Sequence, residues 1–170
     1  IVGFTQMSKT MSAVSVVSLL NEVFSRFDDL AEKYNLEKIK TIGDAYMVVG
    51  GLPEPDANHV ERVASFALEM LDVIRDYRQK NDMALELRIG INSGAAVAGV
   101  IGKKKFIYDL WGDSVNTASR MESHGLPGQI QVSESTYLRI KHLFQFEDRG
   151  RMEVKGLGLV QSYLLTAKPA

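Results

Sequence analysis

A polar segment in the second half of the chain carries the residues best suited to chemistry. The run Tyr108-Asp-Leu-Trp-Gly-Asp-Ser-Val-Asn-Thr-Ala-Ser-Arg-Met-Glu-Ser123 changes from a strand-like apolar stretch to a helix-like pattern after its glycine. The helix is predicted to begin at Asp113 or Ser114, since either side chain can act as an N-cap. Asn116 and Arg120, four residues apart, then project from the same face. An amide donor beside a fixed cation suits an oxyanion whose charge grows during a reaction, such as a phosphoryl group.

Three further charged residues each have a chemical and an ordinary structural interpretation. Asp44 follows Gly43 between two apolar runs, so it is either a functional carboxylate at a strand tip or a plain turn residue. Arg88 alternates with core positions and is otherwise a surface cation paired with Glu86 or Asp44. Lys155 precedes a glycine-containing loop, where a solvated lysine is the ordinary interpretation.

The first five residues, Ile1-Val-Gly-Phe-Thr, lead from a strand-like start through Gly3 into a helix. The free N–H groups at such a helix start can receive phosphate oxygens. The three histidines, His59, His124 and His142, are far apart in the sequence without metal-ligand spacing, and we assign them no role.

Composition narrows the classes of partner. The formal net charge is −1 and the lysines at 103–105 form the one cationic run, which is typical of a solvated turn, so nucleic acid is not an expected partner. The chain has no cysteine, which excludes thiolate zinc sites and fits a reducing cytoplasm. No apolar run is long enough for a membrane helix, so no membrane contact is expected within this segment, and any tether lies outside it. We expect residues 1–170, which begin without Met, to be one catalytic-type domain of a longer protein.

Two amphipathic helices are predicted from apolar residues at every third or fourth position. The first apolar stripe comprises Val14, Val17, Leu20, Phe24, Phe27, Ala31 and Tyr34. The second comprises Val60, Val63, Ala67, Met70, Ile74 and Tyr77. Between the two helices, residues 38–42 and 45–49 flank Gly43-Asp44 and are predicted to form a β-hairpin with a tight turn.

Strand-like alternation follows the second helix and defines the fold class. Apolar Leu85, Leu87, Ile89 and Ile91 alternate with residues of the opposite face. Further short strands are expected near Ile107, Ile130, Phe144, Val154 and Tyr163. This order predicts an α+β fold, a ferredoxin-like α/β sandwich with a largely antiparallel sheet and helices on one face. The strand at 45–49 is apolar at odd and even positions, so its uncovered face is a candidate for contact with a second copy of the chain.

Five segments, in order, resemble the catalytic domain of the class III nucleotidyl cyclases, of adenylyl cyclase type. They are Ile1-Val-Gly-Phe-Thr, Lys38-Ile-Lys-Thr-Ile-Gly-Asp-Ala-Tyr-Met, Leu87-Arg-Ile-Gly-Ile-Asn-Ser-Gly, Tyr108-Asp-Leu-Trp-Gly-Asp-Ser-Val-Asn-Thr-Ala-Ser-Arg-Met and Val154-Lys-Gly. The resemblance covers nearly the whole chain, and five co-linear motifs make it specific. It implies an enzyme that converts ATP or GTP into a cyclic nucleotide and pyrophosphate, by attack of the 3′-hydroxyl on the α-phosphorus.

The resemblance also implies cofactors and site residues. Two divalent cations, Mg²⁺ or Mn²⁺, are expected, with Asp44 as one metal-binding aspartate and Ile1 contributing its backbone carbonyl. The family's other aspartate directly precedes the Ile1 motif, so we expect Asp at that position in the full protein. Asn116 is expected to orient the ribose and Arg120 to stabilise charge on the α-phosphate. The terminal phosphates are expected to contact Arg88 and Lys155, within the turn formed by Phe4 and Thr5.

The base-reading positions of the family correspond to Lys40 and Asp109. Guanylyl cyclases have Glu at the first position and usually Cys or a small residue at the second. Adenine offers an acceptor at N1 and an amino donor at N6, which a lysine and an aspartate complement, whereas guanine offers the reverse. ATP is therefore the expected substrate, unless Lys40 and Asp109 merely form an ion pair.

The family builds each site from two chains, with the metal ligands on one and the purine pocket, Asn and Arg on the other. This chain has both sets, so the resemblance implies a homodimer with two equivalent sites. Two alternatives stay open: a non-catalytic nucleotide-binding or dimerisation domain of the same fold, and a guanylyl cyclase.

Overall fold

A computed structural model describes residues 1–169 of the chain. Its helices are α1 Phe4–Thr10, α2 Ala13–Lys33, α3 His59–Asn81, α4 Asp113–Ser123 and α5 Glu134–Ile140. Its strands are β1 Glu37–Ile42, β2 Ala45–Val49, β3 Ile89–Ile91, β4 Val97–Ile101, β5 Ile107–Trp111, β6 Ile130–Ser133, β7 Gln145–Val154 and β8 Gly158–Ala167.

The strands form one four-stranded sheet and two hairpins. The sheet has the order β3-β6-β8-β7, in which β3 and β6 are parallel and the other neighbours antiparallel. The hairpins β1-β2 and β4-β5 are antiparallel ladders of their own. The predicted α+β class and the largely antiparallel pairing are confirmed.

Helices cover one face of the sheet, and α4 lies against the other. Ile91, Ile130 and Val132 are buried among apolar residues of α3 and α5. Gly90 and Gln131, which alternate with them, face the opposite way and contact α4, since neighbouring residues of a strand point to opposite faces. The prediction placed helices on one face of the sheet. The structure has α3 and α5 on that face and, in addition, α4 on the opposite face.

Helix α2 is present as predicted, but its buried stripe is shifted. Leu19, Val23, Phe27 and Ala31 are buried at a spacing of four residues. Val14 and Val17, assigned to the core from their periodicity, are 80% and 65% exposed. The helix is apolar around much of its circumference, so periodicity could not determine which stripe faces the core. In α3 the predicted positions are correct, except that Val63 is only half-buried.

The predicted hairpin is confirmed as β1-β2, with Ile42 paired to Ala45 across the turn. Gly43 has φ = 58°, a left-handed conformation that glycine adopts without strain. The predicted strand through Leu85 and Leu87 is shorter than expected, because only Ile89–Ile91 pair in the sheet. Leu85 and Leu87 are nevertheless buried, so the alternation predicted correctly which side chains are buried but not which residues pair in the sheet. Within residues 1–169, no helix combines the length and apolar character that crossing a bilayer demands.

Candidate active site

Helix α4 presents the amide and guanidinium that the sequence analysis singled out. The prediction that Asp113 or Ser114 caps the helix is wrong: Gly112 is the N-cap, with φ = 129°, and no side-chain cap is formed. The backbone of Asn116 donates to the carbonyl of Gly112, so the first turn is closed by main-chain bonds. Asn116 is exposed and Arg120 half-buried.

Within residues 1–169, no hydrogen bond or ion pair joins the side chains of Asn116 or Arg120 to another candidate. The next residue, Met121, is fully buried. The helix is therefore anchored through its inner face, while the two candidate side chains are available to a ligand.

Lys40 and Asp109 meet between the two hairpins. Lys40 Nζ lies 2.7 Å from Asp109 Oδ2, and the two side chains are 36% and 16% exposed. The second oxygen of Asp109 accepts a hydrogen bond from the backbone N–H of Leu110 at 2.8 Å. The hydrogen bond from Lys40, reinforced by that from Leu110, lowers the pKa of the Asp109 carboxyl below its ordinary range. The structure brings the two predicted base-reading residues together as an ion pair.

Asp44 lies at the tip of the β1-β2 hairpin beside the first residue. The main-chain nitrogen of Ile1 is 3.1 Å from Asp44 Oδ2, and the Asp44 side chain is 35% exposed. Val2 donates its N–H to the carbonyl of Glu86 at 2.9 Å, which ties the opening segment to the strand region leading to Arg88. Ile1 and Asp44 are therefore neighbours, and Arg88 lies two residues beyond the bond that Glu86 makes to the opening segment.

The donors at this tip fit a hard divalent cation in part. A carboxylate and a backbone carbonyl are oxygen ligands, and Mg²⁺ typically takes one or two carboxylates together with substrate phosphates and water. Within residues 1–169, no group of three or more His, Cys, Asp or Glu side chains converges as a metal cage. The Asp44 carboxylate and the Ile1 carbonyl are thus oxygen donors of the kind that such a cation takes, and further ligands would have to come from other groups.

The phosphate candidates occupy different settings. Arg88 is paired with Glu122 of α4, with Nη2 3.3 Å from Oε1, and not with Glu86 or Asp44 as the surface interpretation suggested. Glu122 is a neighbour that sequence reasoning missed, because nothing in the local patterns relates β3 to the last turn of α4. Lys155 is exposed in the turn between β7 and β8. Phe4 and Thr5 form the first turn of α1 after Gly3, which has φ = 69°.

The hairpin β4-β5 carries an apolar surface that the sequence analysis did not identify. Its large side chains are exposed by 38 to 75%, namely Val97, Val100, Ile101, Phe106, Ile107 and Trp111. We call these six residues the apolar ribbon. The strand predicted to need a partner, β2, is half-buried from Tyr46 to Val49, so the chain itself covers much of it.

Comparison with known proteins finds relatives over nearly the whole chain. The family model "Adenylate and Guanylate cyclase catalytic domain" matches residues 1–167. An adenylate cyclase of Mycobacterium tuberculosis is 42% identical over 168 residues, which are 99% of this chain and 38% of that protein. The chain therefore spans well under half the length of this curated relative.

Solved structures with the same fold include cyclases described with either purine nucleotide. The guanylate cyclase domain from Catenaria anguillulae in complex with GTP has a TM-score of 0.95 and 40% identity, covering 99% of this chain and 93% of that one. The catalytic core of a rhodopsin-guanylyl cyclase with converted specificity, in complex with ATPαS, has a TM-score of 0.94 and 41% identity, covering 99% and 91%. The chain belongs to the adenylate and guanylate cyclase catalytic domain family, the class III nucleotidyl cyclases.

Proposed function

We propose that residues 1–170 are the catalytic domain of a longer adenylyl cyclase, which converts ATP into 3′,5′-cyclic AMP and pyrophosphate. The observation that carries this choice of nucleotide is the pair formed by Lys40 and Asp109, 2.7 Å apart at the junction of β1 and β5. No other pair among the predicted site residues bears on the identity of the base.

Adenine recognition follows from the donors and acceptors of the pair. Lys40 donates hydrogen bonds and the ionised Asp109 accepts them, so Lys40 suits adenine N1 and Asp109 suits the N6 amino group. With guanine, Lys40 would face the N1 donor and Asp109 the O6 acceptor. Each mismatched buried polar group costs about 1 to 3 kcal/mol. The ion pair is retained in this proposal as the state without a base, which adenine opens by offering each partner a replacement.

The phosphates are handled by residues from several elements. Asn116 orients the ribose, and Arg120 stabilises the charge that grows on the α-phosphate. Arg88 and Lys155 contact the terminal phosphates, and Phe4 and Thr5 shape the turn around them. Arg88 exchanges its bond with Glu122 for phosphate oxygens, because a bidentate guanidinium–phosphate contact is stronger than a long ion pair at 3.3 Å.

Two divalent cations, Mg²⁺ or Mn²⁺, complete the site. Asp44 and the carbonyl of Ile1 would hold them together with the nucleotide phosphates and the aspartate expected before Ile1. When bound, the metals lower the pKa of the attacking hydroxyl and neutralise charge on the phosphates. Asp44 lies at the tip of the β1-β2 hairpin, with Oδ2 3.1 Å from the main-chain nitrogen of Ile1, so its carboxylate is next to the opening segment.

The site is completed by a second copy of the chain. Asp44 and Ile1 are proposed to act on one protomer, and Lys40, Asp109, Asn116 and Arg120 on its partner. The apolar ribbon supports a homodimer, since exposed apolar side chains concentrated on one hairpin typically mark an interface. The catalytic domain is proposed to act in the cytoplasm, whether or not the full protein is tethered to a membrane.

A product assay tests the proposal directly. The full-length protein, incubated with ATP or GTP and Mg²⁺ or Mn²⁺, is expected to form cyclic AMP and at least ten times less cyclic GMP per unit time. Preferential cyclic GMP formation would support a guanylyl cyclase, the activity named for the Catenaria domain. Nucleotide binding without either product would support the non-catalytic alternative.

A further inference from the structure

We propose that Asn92 and Gln131 are positioning residues, which hold α4 at its two ends and thereby set where Asn116 and Arg120 project. This inference rests on the proposed function, because it concerns the helix that carries the two proposed catalytic side chains. It adds two residues that do not reach the nucleotide and act only through α4.

The first anchor is the amide of Asn92, directly after β3. Its Nδ2 donates to the carbonyl of Ser114, in the first turn of α4, at 2.9 Å. Its Oδ1 accepts from Ser133 Oγ at 2.6 Å and from Ser135 Oγ at 3.1 Å. Both oxygen and nitrogen of this one amide are therefore used, and the first turn of α4 is tied to the start of α5. The anchored carbonyl lies two residues before Asn116.

The second anchor is the amide of Gln131 in β6, which is completely buried. Its Nε2 donates to the carbonyl of Met121 at 3.1 Å, one residue after Arg120. Its Oε1 accepts from the guanidinium of Arg149, which also donates to the carbonyl of His124 at the end of α4. A cation at the carbonyl end of a helix is also favoured by the helix dipole.

The second half of α4 lies in direct contact with the sheet, on both sides of the anchored carbonyl of Met121. Gly90 pairs with Gln131 in the parallel ladder, and a Cβ at Gly90 would lie 2.1 Å from the backbone nitrogen of Glu122 and 2.6 Å from the carbonyl oxygen of Ala118. No side chain separates the two backbones here. Because Gly90 has no Cβ, the helix can lie this close to the sheet. The amides of Asn92 and Gln131 then fix the rotation of the helix and its position along its axis.

This arrangement compensates for a helix start without a side-chain cap. Gly112 offers no capping oxygen, and the helix has only 11 residues, so its own hydrogen bonds hold it weakly. Two side-chain amides outside the helix donate to the carbonyls of Ser114 and Met121. These two carbonyls lie on either side of the segment that contains Asn116 and Arg120. Because a displacement of about 1 Å can cost about 100-fold in rate, loss of an anchor is expected to appear in kcat.

The test uses substitutions that remove the donor and keep the shape. Asn92→Asp and Gln131→Glu retain an oxygen for Ser133 or Arg149 but cannot donate to α4 when ionised. Two matched controls each remove a hydrogen bond that a side-chain amide donates elsewhere in the fold. Asn81→Asp removes the bond to the carbonyl of Tyr77 in α3, and Gln161→Glu removes the bond to Asp148. The full-length protein is used throughout, with radiolabelled ATP and measurement of kcat and KM.

Each anchor variant is expected to lower kcat by roughly 10- to 100-fold, the cost of a displaced catalytic group, with KM changed by less than about threefold. The controls are expected to keep wild-type kcat. In an Asn116→Ala background, Asn92→Asp is expected to cost less than in the wild-type protein, and Gln131→Glu likewise in an Arg120→Ala background, because one of the two side chains that the helix positions is already removed.

Unchanged kcat in both anchor variants, or full additivity with the loss of Asn116 and Arg120, would overturn the proposal. Should the buried Gln131→Glu variant fail to fold, Asn92→Asp and Asn92→Ala decide, since Asn92 is only half-buried. If the wild-type protein makes neither cyclic nucleotide, the proposed function fails on its own. Amide hydrogen exchange then judges the anchors: faster exchange across α4 in Asn92→Asp than in Asn81→Asp supports them, and equal exchange refutes them.

Discussion

Lys40 Nζ lies 2.7 Å from Asp109 Oδ2, although the two residues are 69 positions apart in the chain. Lys40 is in β1 and Asp109 in β5, so this contact joins two hairpins that share no ladder. The relative placement of the hairpins therefore determines how these two side chains, the proposed readers of the base, are oriented. A substitution at either residue tests the geometry of the junction as well as the choice of base.

Replacing both of the proposed base-reading residues is expected to change which nucleotide the protein prefers. Lys40→Glu together with Asp109→Cys replaces a donor by an acceptor and removes the acceptor that suits adenine N6. We expect the ratio of cyclic AMP to cyclic GMP to fall by at least about tenfold, because each mismatched polar group costs about 1 to 3 kcal/mol. The measurement is initial rate with each nucleotide at matched concentration.

The single substitution Lys40→Glu serves as the control for this exchange. It places two carboxylates where the ion pair stood, and like charges at that distance repel. Activity with both nucleotides is expected to drop. An unchanged nucleotide ratio in the double variant, with activity retained, would show that these residues do not read the base.

The pKa of Asp109 is expected to depend on Lys40. The lysine hydrogen bond lowers the carboxyl pKa in the folded protein, so the pair stabilises the fold above the ordinary value of about 3.9. That stabilisation is lost as pH falls through the lower folded-state pKa. In Lys40→Met the carboxyl pKa is expected to rise, as measured by carbon NMR of the labelled side chain. Equal values in the two proteins would mean that the ion pair does not form in solution.

Two inactive variants are expected to restore activity to each other. Asp44→Ala removes the proposed metal ligand and Arg120→Ala the proposed phosphate contact, and each alone is expected to lose about 100- to 1000-fold in rate. If a site takes these residues from different protomers, a mixed dimer has one intact site. Random pairing of equal amounts then restores about a quarter of the wild-type sites.

The matched control for this mixing experiment pairs Asn116→Ala with Arg120→Ala. Both residues are on α4, so every site of the mixed dimer lacks one of them. No recovery is expected for this pair. Recovery in the control, or none with Asp44→Ala, would exclude the proposed division of the site between protomers.

Gly90→Ala is expected to destabilise the fold and displace α4. The added Cβ would lie 2.1 Å from the nitrogen of Glu122, and backbone cannot move aside as a flexible side chain can. We expect a loss of about 1 to 3 kcal/mol in the free energy of unfolding, measured by urea titration. Gly99→Ala is the control, because its Cβ would meet Trp111 at an ordinary 3.4 Å. Equal stability of the two variants would contradict the close approach of helix and sheet.

Features that depend on residues close together in the chain, such as turns and helix faces, could be predicted from the sequence. The β1-β2 turn follows from Gly43-Asp44 between apolar runs, and the placing of Asn116 and Arg120 on one helix follows from their spacing. The capping residue was wrong by one or two positions. Asp113 and Ser114 have side chains that commonly cap helices. Gly112 takes the cap position instead, because its positive φ of 129° is one that glycine adopts readily and it ends strand β5 before Asp113 is reached.

Features that depend on long-range packing were not accessible from the sequence. Whether Val17 or Val23 faces the core depends on where α3 lies, since both belong to plausible stripes of α2. The bond from Gln131 to Met121 and the pairing of Arg88 with Glu122 join elements with no shared local pattern. Such contacts arise from the crossing of α4 over the parallel pair β3-β6, which periodicity does not describe.

If the apolar ribbon is the proposed dimer interface, the order of the hairpin that carries it is expected to depend on protein concentration. A two-stranded hairpin is only marginally stable by itself in water, and β4-β5 pairs with no other strand within residues 1–169. Association that buries Phe106 and Trp111 would stabilise β5, and with it Asp109, by mass action. Dilution is thus expected to loosen the strand that carries Asp109, so that specific activity rises with enzyme concentration until the chains are fully associated.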